Sequence, residues 1–142
     1  MTVRRLRPHA STIFSEVSRL ATRFDAINLG QGFPDTDGPA SMIEAAARAL
    51  RDGHNQYPPG TGLPELRQAA AEHETAHTGL VHDPDTEVVV TVGATEGIAA
   101  AVVGLVEPDD EVVVIEPYYD SYAATVAMAG ATRRAARMVR TG

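Results

Sequence analysis

The sequence contains no cysteine, no tryptophan and no lysine. Without cysteine there is no disulfide, no thiolate nucleophile and no Cys-ligated zinc. Without lysine, all twelve basic residues are arginine, whose guanidinium stays protonated and is no nucleophile. Positive charge is also in deficit: the formal net charge is −7. That balance argues against nucleic acid or an anionic membrane surface as partner. No apolar run approaches the roughly 20 residues that span a bilayer. Arg4, Arg5 and Arg7 make the N-terminus basic, but no secretory apolar segment follows. The expectation is a soluble, cytoplasmic protein.

What is present suits one domain or part of one: 142 residues, 44% of them hydrophobic. Ile13, Val17 and Leu20 recur at helical spacing beside Phe14, which predicts an amphipathic helix over 12–22. Residues 28–39 (NLGQGFPDTDGP) read as a loop. Ser41 and Glu44 have capping-box spacing and predict a helix to about residue 52, stopped by Gly53. Residues 54–62 (HNQYPPGTG) form a second Pro/Gly loop. Pro64 then suits the first turn of a helix that ends at Gly79.

Beyond Gly79 the periodicity changes. Residues 87–92 (EVVVTV) are β-branched and short, as a strand is. Residues 95–106 read as an apolar helix, 107–110 as a turn and 111–115 as a second strand. Strand, helix and strand predict a βαβ unit with parallel strands covered on both faces. A helix over 121–128 follows, and a third strand is due after residue 131. That stretch, 132–140 (TRRAARMVR), carries four arginines in nine residues and does not suit a strand buried on both faces. It is either a frayed edge or sequence foreign to the fold.

The junction 87–98 (EVVVTVGATEGI) holds the most chemistry. A strand, a Gly turn and a helix start make an anion cup, because the first N–H groups of a helix have no partner within it. A dinucleotide site wants G-x-G-x-x-G there, whereas the glycines are Gly93, Gly97 and Gly104. A P-loop needs a lysine. A single phosphate monoester, such as that of pyridoxal phosphate, remains open, and so does a plain turn. Tyr118 and Tyr119 follow a strand end, where ligands of open sheets bind and where an aromatic face can stack on a flat ring. They also suit ordinary packing. Tyr57 stands in a polar, Gly/Pro-rich loop, which is a weak functional hint. His73-Glu74-Thr75-Ala76-His77 matches the zinc-peptidase pattern H-E-x-x-H, with Glu74 as the base. The helix ends two residues later and no third ligand fits the extended pattern, so solvated surface histidines are the simpler reading.

Four blocks, taken together, resemble the fold type I, class I/II pyridoxal-phosphate-dependent aminotransferases. They are 28–35 (NLGQGFPD), 55–57 (NQY), 90–96 (VTVGATE) and 116–122 (EPYYDSY), in that family's order and spacing. The subgroup they resemble holds the kynurenine/glutamine transaminases and the N-succinyldiaminopimelate aminotransferases, and the resemblance covers roughly residues 5–131. It implies the N-terminal part of a three-layer αβα large domain with an incomplete parallel sheet. Residues 1–30 would be an N-terminal arm and helix, and 31–142 the beginning of the cofactor-binding domain. It implies pyridoxal 5′-phosphate as cofactor, an amino acid and a 2-oxo acid as substrates, and a homodimer in the full-length form.

The resemblance also implies roles. Gly93, Ala94 and Thr95 hold the cofactor phosphate, and Tyr119 stacks on its ring. Tyr57 reaches the phosphate of the partner subunit's cofactor. Gly32 approaches the substrate carboxylate, and Phe14 lines the side-chain pocket. The family's catalytic lysine, which bonds the cofactor aldehyde and shuttles the α-proton, has no counterpart, so no catalytic residue is assigned in this chain. The expectation is an inactive N-terminal fragment, from a truncated or frame-shifted gene, with unpaired sheet edges and poor stability alone. A catalytically dead remnant or dimerisation module is the alternative; a zinc peptidase through His73, Glu74 and His77 ranks below it.

Overall fold

The structure is a computed structural model that describes residues 2–32 and 34–140. Phe33, inside the first glycine-rich block, lies outside the described residues. A short 3₁₀ helix, Arg4–His9, is followed by α1 (Ile13–Arg23), α2 (Ala40–Arg51), α3 (Pro64–Thr78), α4 (Gly93–Leu105), β1 (Glu111–Glu116), α5 (Ser121–Ala129) and β2 (Thr132–Arg137). Contacts divide the chain into two units. One is Met1–Phe33 with Val92–Gly142; the other is Pro34–Thr91.

In the first unit, β1 and β2 form a two-stranded parallel sheet, with Glu111 opposite Thr132 and Glu116 opposite Arg137. The crossover is α5, which packs on α4, on β2 and on the 3₁₀ helix. The βαβ unit is therefore β1–α5–β2, one step later in the chain than the sequence pattern predicts. Along β1, Val112, Val114 and Glu116 are covered while Glu111, Val113 and Ile115 are exposed. Side chains alternate across a strand, so one face of the sheet is covered, not both. The helix α1 opens one residue later than expected, with Thr12 as its cap: the Thr12 hydroxyl accepts from the Ser15 N–H at 3.1 Å.

The arginine-rich stretch forms a strand in continuous register, exposed at every position. Its charges are neutralised across the pair. Arg134 bonds Glu111 through Nε at 2.8 Å, and Arg133 and Arg137 reach Glu116 at 3.4 and 3.3 Å. An edge strand exposed on both faces tolerates charges that a central strand buried on both faces does not.

In the second unit, α3 begins at Pro64 as expected and ends on Gly79 with φ 78°. The capping box is not formed. Helix α2 starts at Ala40 behind Pro39, whose carbonyl accepts from the Met42 and Ile43 N–H groups, and no side chain caps it. Ser41 thus falls inside the first turn, past the position from which a capping hydroxyl acts.

Residues 87–92 are not a strand either, which corrects the clearest strand expectation. Glu87 is folded back onto a turn: its carboxylate accepts from the Asp83 N–H at 2.7 Å, and its own N–H donates to the Asp83 carbonyl at 2.9 Å. The Val90 N–H donates to the Thr61 carbonyl at 3.0 Å. A Cβ on Gly62, which has φ +99°, would stand 2.4 Å from a Val90 methyl. A loop, not a strand, holds this run. Arg67, buried on α3, clamps the same turn through the Pro84 carbonyl and the Asp85 carboxylate.

Much apolar surface stays uncovered. The chain exposes 11668 Å², where a folded 15.0 kDa monomer exposes about 7,000 Å². Ala71, Val114 and Val126 are the buried hydrophobic residues among those described.

Candidate functional site

The glycine turn and the helix start are present without the strand expected before them. Helix α4 starts at Gly93 with φ +73°. That left-handed conformation costs other residues roughly 1–2 kcal/mol, so the turn requires glycine. Ala94 and Thr95 lie exposed in the first turn, where helix N–H groups and a hydroxyl can meet an anion. The Glu96 carboxylate accepts a short hydrogen bond from the Val92 N–H and so ties the helix start back to the entering chain. Sequence reading assigned Glu96 no such role, because the capping-box signal is a Ser or Thr three residues before the Glu and Gly93 stands there.

Tyr119 sits between β1 and α5 within a group of rings. Phe14 of α1 lies 5.7 Å from it, tilted by 40°, and Tyr122 meets it edge-on at 6.0 Å. Tyr119 is 46% exposed, so part of the ring stays open. Thr95, Tyr119 and Asp120 line one cavity of about 460 Å³, together with His9, Ser11 and Thr12. Of the sequence-predicted residues, the structure thus brings Thr95 and Tyr119 around one space and sets Phe14 against Tyr119. Asp120, beside them, keeps Oδ2 buried without a hydrogen-bond partner among the described residues. Sequence reading named Asp120 only as part of the block 116–122 and gave it no role of its own.

Gly32 stands at the end of a loop pinned to α1. Asn28 donates to the Ser18 hydroxyl at 3.0 Å and accepts from the Gly30 N–H at 3.0 Å. A Cβ on Gly30 would stand 2.5 Å from Val17, whereas one on Gly32 would meet nothing within 4 Å. Glycine is thus required for packing at 30 and leaves open space at 32. Tyr57, in the other unit, is fully exposed.

The H-E-x-x-H residues form an ordinary helix surface. His73 and His77 stack with centroids 4.0 Å apart, and His77 Nδ1 bonds the His73 carbonyl at 2.8 Å. Among the described residues no three His, Asp or Glu side chains gather as metal ligands.

A glycine-started helix and a half-open aromatic ring, beside a parallel βαβ unit, define the class: an α/β protein. The profile of the family Aminotransferase class I and II matches residues 25–139. The chain belongs to that family. The match includes the arginine-rich stretch, so that stretch is not foreign to the fold. The probable N-succinyldiaminopimelate aminotransferase of Mycobacterium tuberculosis is 63% identical over 133 residues, 94% of this chain and 34% of the relative. The methionine aminotransferase of Escherichia coli K12 is 46% identical over 120 residues, 84% of this chain and 31% of the relative. The solved structure of N-succinyldiaminopimelate aminotransferase from Mycobacterium tuberculosis superimposes with a TM-score of 0.94 at 60% identity, covering 100% of this chain and 37% of the other. The chain spans about a third of the length of the relatives it matches. Its fold is the N-terminal α/β part of the aminotransferase fold.

Proposed function

We propose that the chain is the cofactor-recognising portion of a pyridoxal-phosphate-dependent aminotransferase. Such an enzyme moves an amino group between an amino acid and a 2-oxo acid. The observation that carries this is the cavity shared by Thr95 and Tyr119, in a chain whose family match spans both. The residues fit the group at two of its three handles. Gly93, Ala94 and Thr95 hold the phosphate at the start of α4, and Tyr119 lies against the ring. Tyr57 serves the phosphate bound by a second subunit of a homodimer. Gly32 leaves room for a substrate carboxylate, and Phe14 bounds the side-chain pocket. When bound, the cofactor supplies an aldehyde that carries the amino group and a ring that draws electrons from the substrate α-carbon. The third handle does not fit, because the chain offers no lysine to bond that aldehyde or move the α-proton. The chain by itself therefore recognises the cofactor without turning substrate over. Similarity favours an N-succinyl-diamino acid as the amino donor of the whole enzyme.

Absorbance titration of the purified chain tests this. Pyridoxal 5′-phosphate is expected to bind, and pyridoxal far more weakly. Thr95→Ala should weaken the phosphate ester by about tenfold, the value of one hydrogen bond to a charged group. Equal affinity for the two vitamers, or turnover of any amino acid/2-oxo acid pair by this chain, would falsify the reading.

A further inference from the structure

We infer that Tyr122 is a positioning residue that sets the plane of Tyr119. This rests on the reading of Tyr119 as the cofactor's ring platform. Four rings form a continuous series. Tyr122 lies parallel to Tyr118, with centroids 6.4 Å apart and an interplanar angle of 16°. It meets Tyr119 edge-on at 6.0 Å and 78°. Phe14 bounds Tyr119 from α1 at 5.7 Å. The outer end is closed by Arg133 of β2, whose guanidinium sits 5.0 Å from the Tyr118 centroid.

Tyr122 is the member that touches both other tyrosines. A tyrosine pivots about two side-chain torsions, and a ring that is 46% exposed is not fixed by burial. Edge-on contact fixes it, because the positive edge of one ring seeks the negative face of the other. The spacing explains why Tyr122 can do this. Tyr119 lies just before α5 and Tyr122 in its first turn, and the Tyr122 N–H donates to the Tyr119 carbonyl at 3.0 Å. The backbone bond fixes the base of both side chains, and the ring contact fixes their tips. The series also links the edge strand to the site, since Arg133 is at once an ion-pair partner of Glu116 and the cation over Tyr118.

The test compares the 142-residue chain with Tyr122→Leu, which keeps apolar volume, and Tyr122→Phe, which keeps the ring. The chain has four tyrosines and no tryptophan, and Tyr57 is fully exposed. Its near-ultraviolet circular dichroism therefore reports on Tyr118, Tyr119 and Tyr122. Tyr122→Leu is expected to retain the far-ultraviolet helix signal but lose more near-ultraviolet signal than one ring accounts for. It should bind pyridoxal 5′-phosphate about three- to tenfold more weakly, the value of one aromatic pair, while inorganic phosphate competes as before. Tyr122→Phe should restore the cofactor affinity. Unchanged dichroism and affinity in Tyr122→Leu would overturn the inference. So would equal weakening of cofactor and phosphate, loss of the helix signal, or failure of Tyr122→Phe to rescue. If the unaltered chain binds no pyridoxal 5′-phosphate, the proposed function falls, and the near-ultraviolet signal still decides whether Tyr122 orders its neighbours.

Discussion

Two six-residue runs in this chain trade places. Residues 87–92 (EVVVTV) have the composition of a strand, and residues 132–137 (TRRAAR) do not suit one buried on both faces. The first is irregular chain held by a turn and a loop, and the second is the strand. The difference lies in what each finds beside it. Thr132 follows a crossover helix that returns the chain alongside β1, so its backbone meets ready acceptors. Residues 87–92 meet single anchors instead: the Thr61 carbonyl, the Asp83 turn and the Glu96 carboxylate. A strand is a pairing state, and β propensity records fit to a pleated surface more than backbone preference. Where no partner lies alongside, valines do not make a sheet; where one does, arginines suffice if their charges are matched.

The largest test of this contrast is a proline in the unlikely strand. Thr132 N–H donates to Asp110 and Met138 N–H to Glu116. Inward N–H groups alternate along a parallel strand, so Ala136 also donates to β1 and Ala135 points outward. Ala136→Pro should cost about 2–3 kcal/mol and free β2, while Ala135→Pro leaves it paired. Amide hydrogen exchange across 132–137 distinguishes the two, and equal protection in both variants would break the contrast.

Next comes the loop that substitutes for a sheet. Gly62→Ala forces a left-handed alanine against Val90 and should cost about 1–2 kcal/mol from conformation alone, read as a lower thermal midpoint. Val114→Ala in β1 should cost about 1.5 kcal/mol, two methyl groups at roughly 0.8 each. Val89→Ala, in the better-looking run, should stay within about 0.5 kcal/mol. A larger loss at Val89 than at Val114 would show residues 87–92 to be the packed element after all.

The smallest effect is electrostatic. Arg134 donates to Glu111 and holds its carboxyl below the usual value of 4.5. A depressed carboxyl stabilises the pair above its unfolded value and loses that contribution as pH falls through the lower, folded one. Acid titration should therefore loosen β2 below about pH 4.5, and Glu111→Gln should flatten that dependence. Both side chains are exposed, so the shift is modest and shrinks with salt.

The helices were legible in the sequence because their signals are local. Ile13, Val17 and Leu20 set the apolar stripe of α1, Pro64 opens α3, Gly79 closes it, and Gly93 marks the turn into α4. Each acts within its own stretch of chain. The glycine turn into α4 was legible for the same reason, since one left-handed residue and the first turn of a helix make it. The family was legible because four blocks stand in a fixed order. The Ser41 box failed because Pro39 occupies the position the serine needed.

What the sequence determined by itself is therefore short in range: where helices start and stop, which residue can turn left-handed, and which chemistry a lysine-free chain lacks. The tertiary structure alone decided which runs pair into a sheet, which face of that sheet is covered, and which rings meet Tyr119. Pairing and packing depend on a neighbour brought from elsewhere in the chain, and no run of six residues carries the address of its partner.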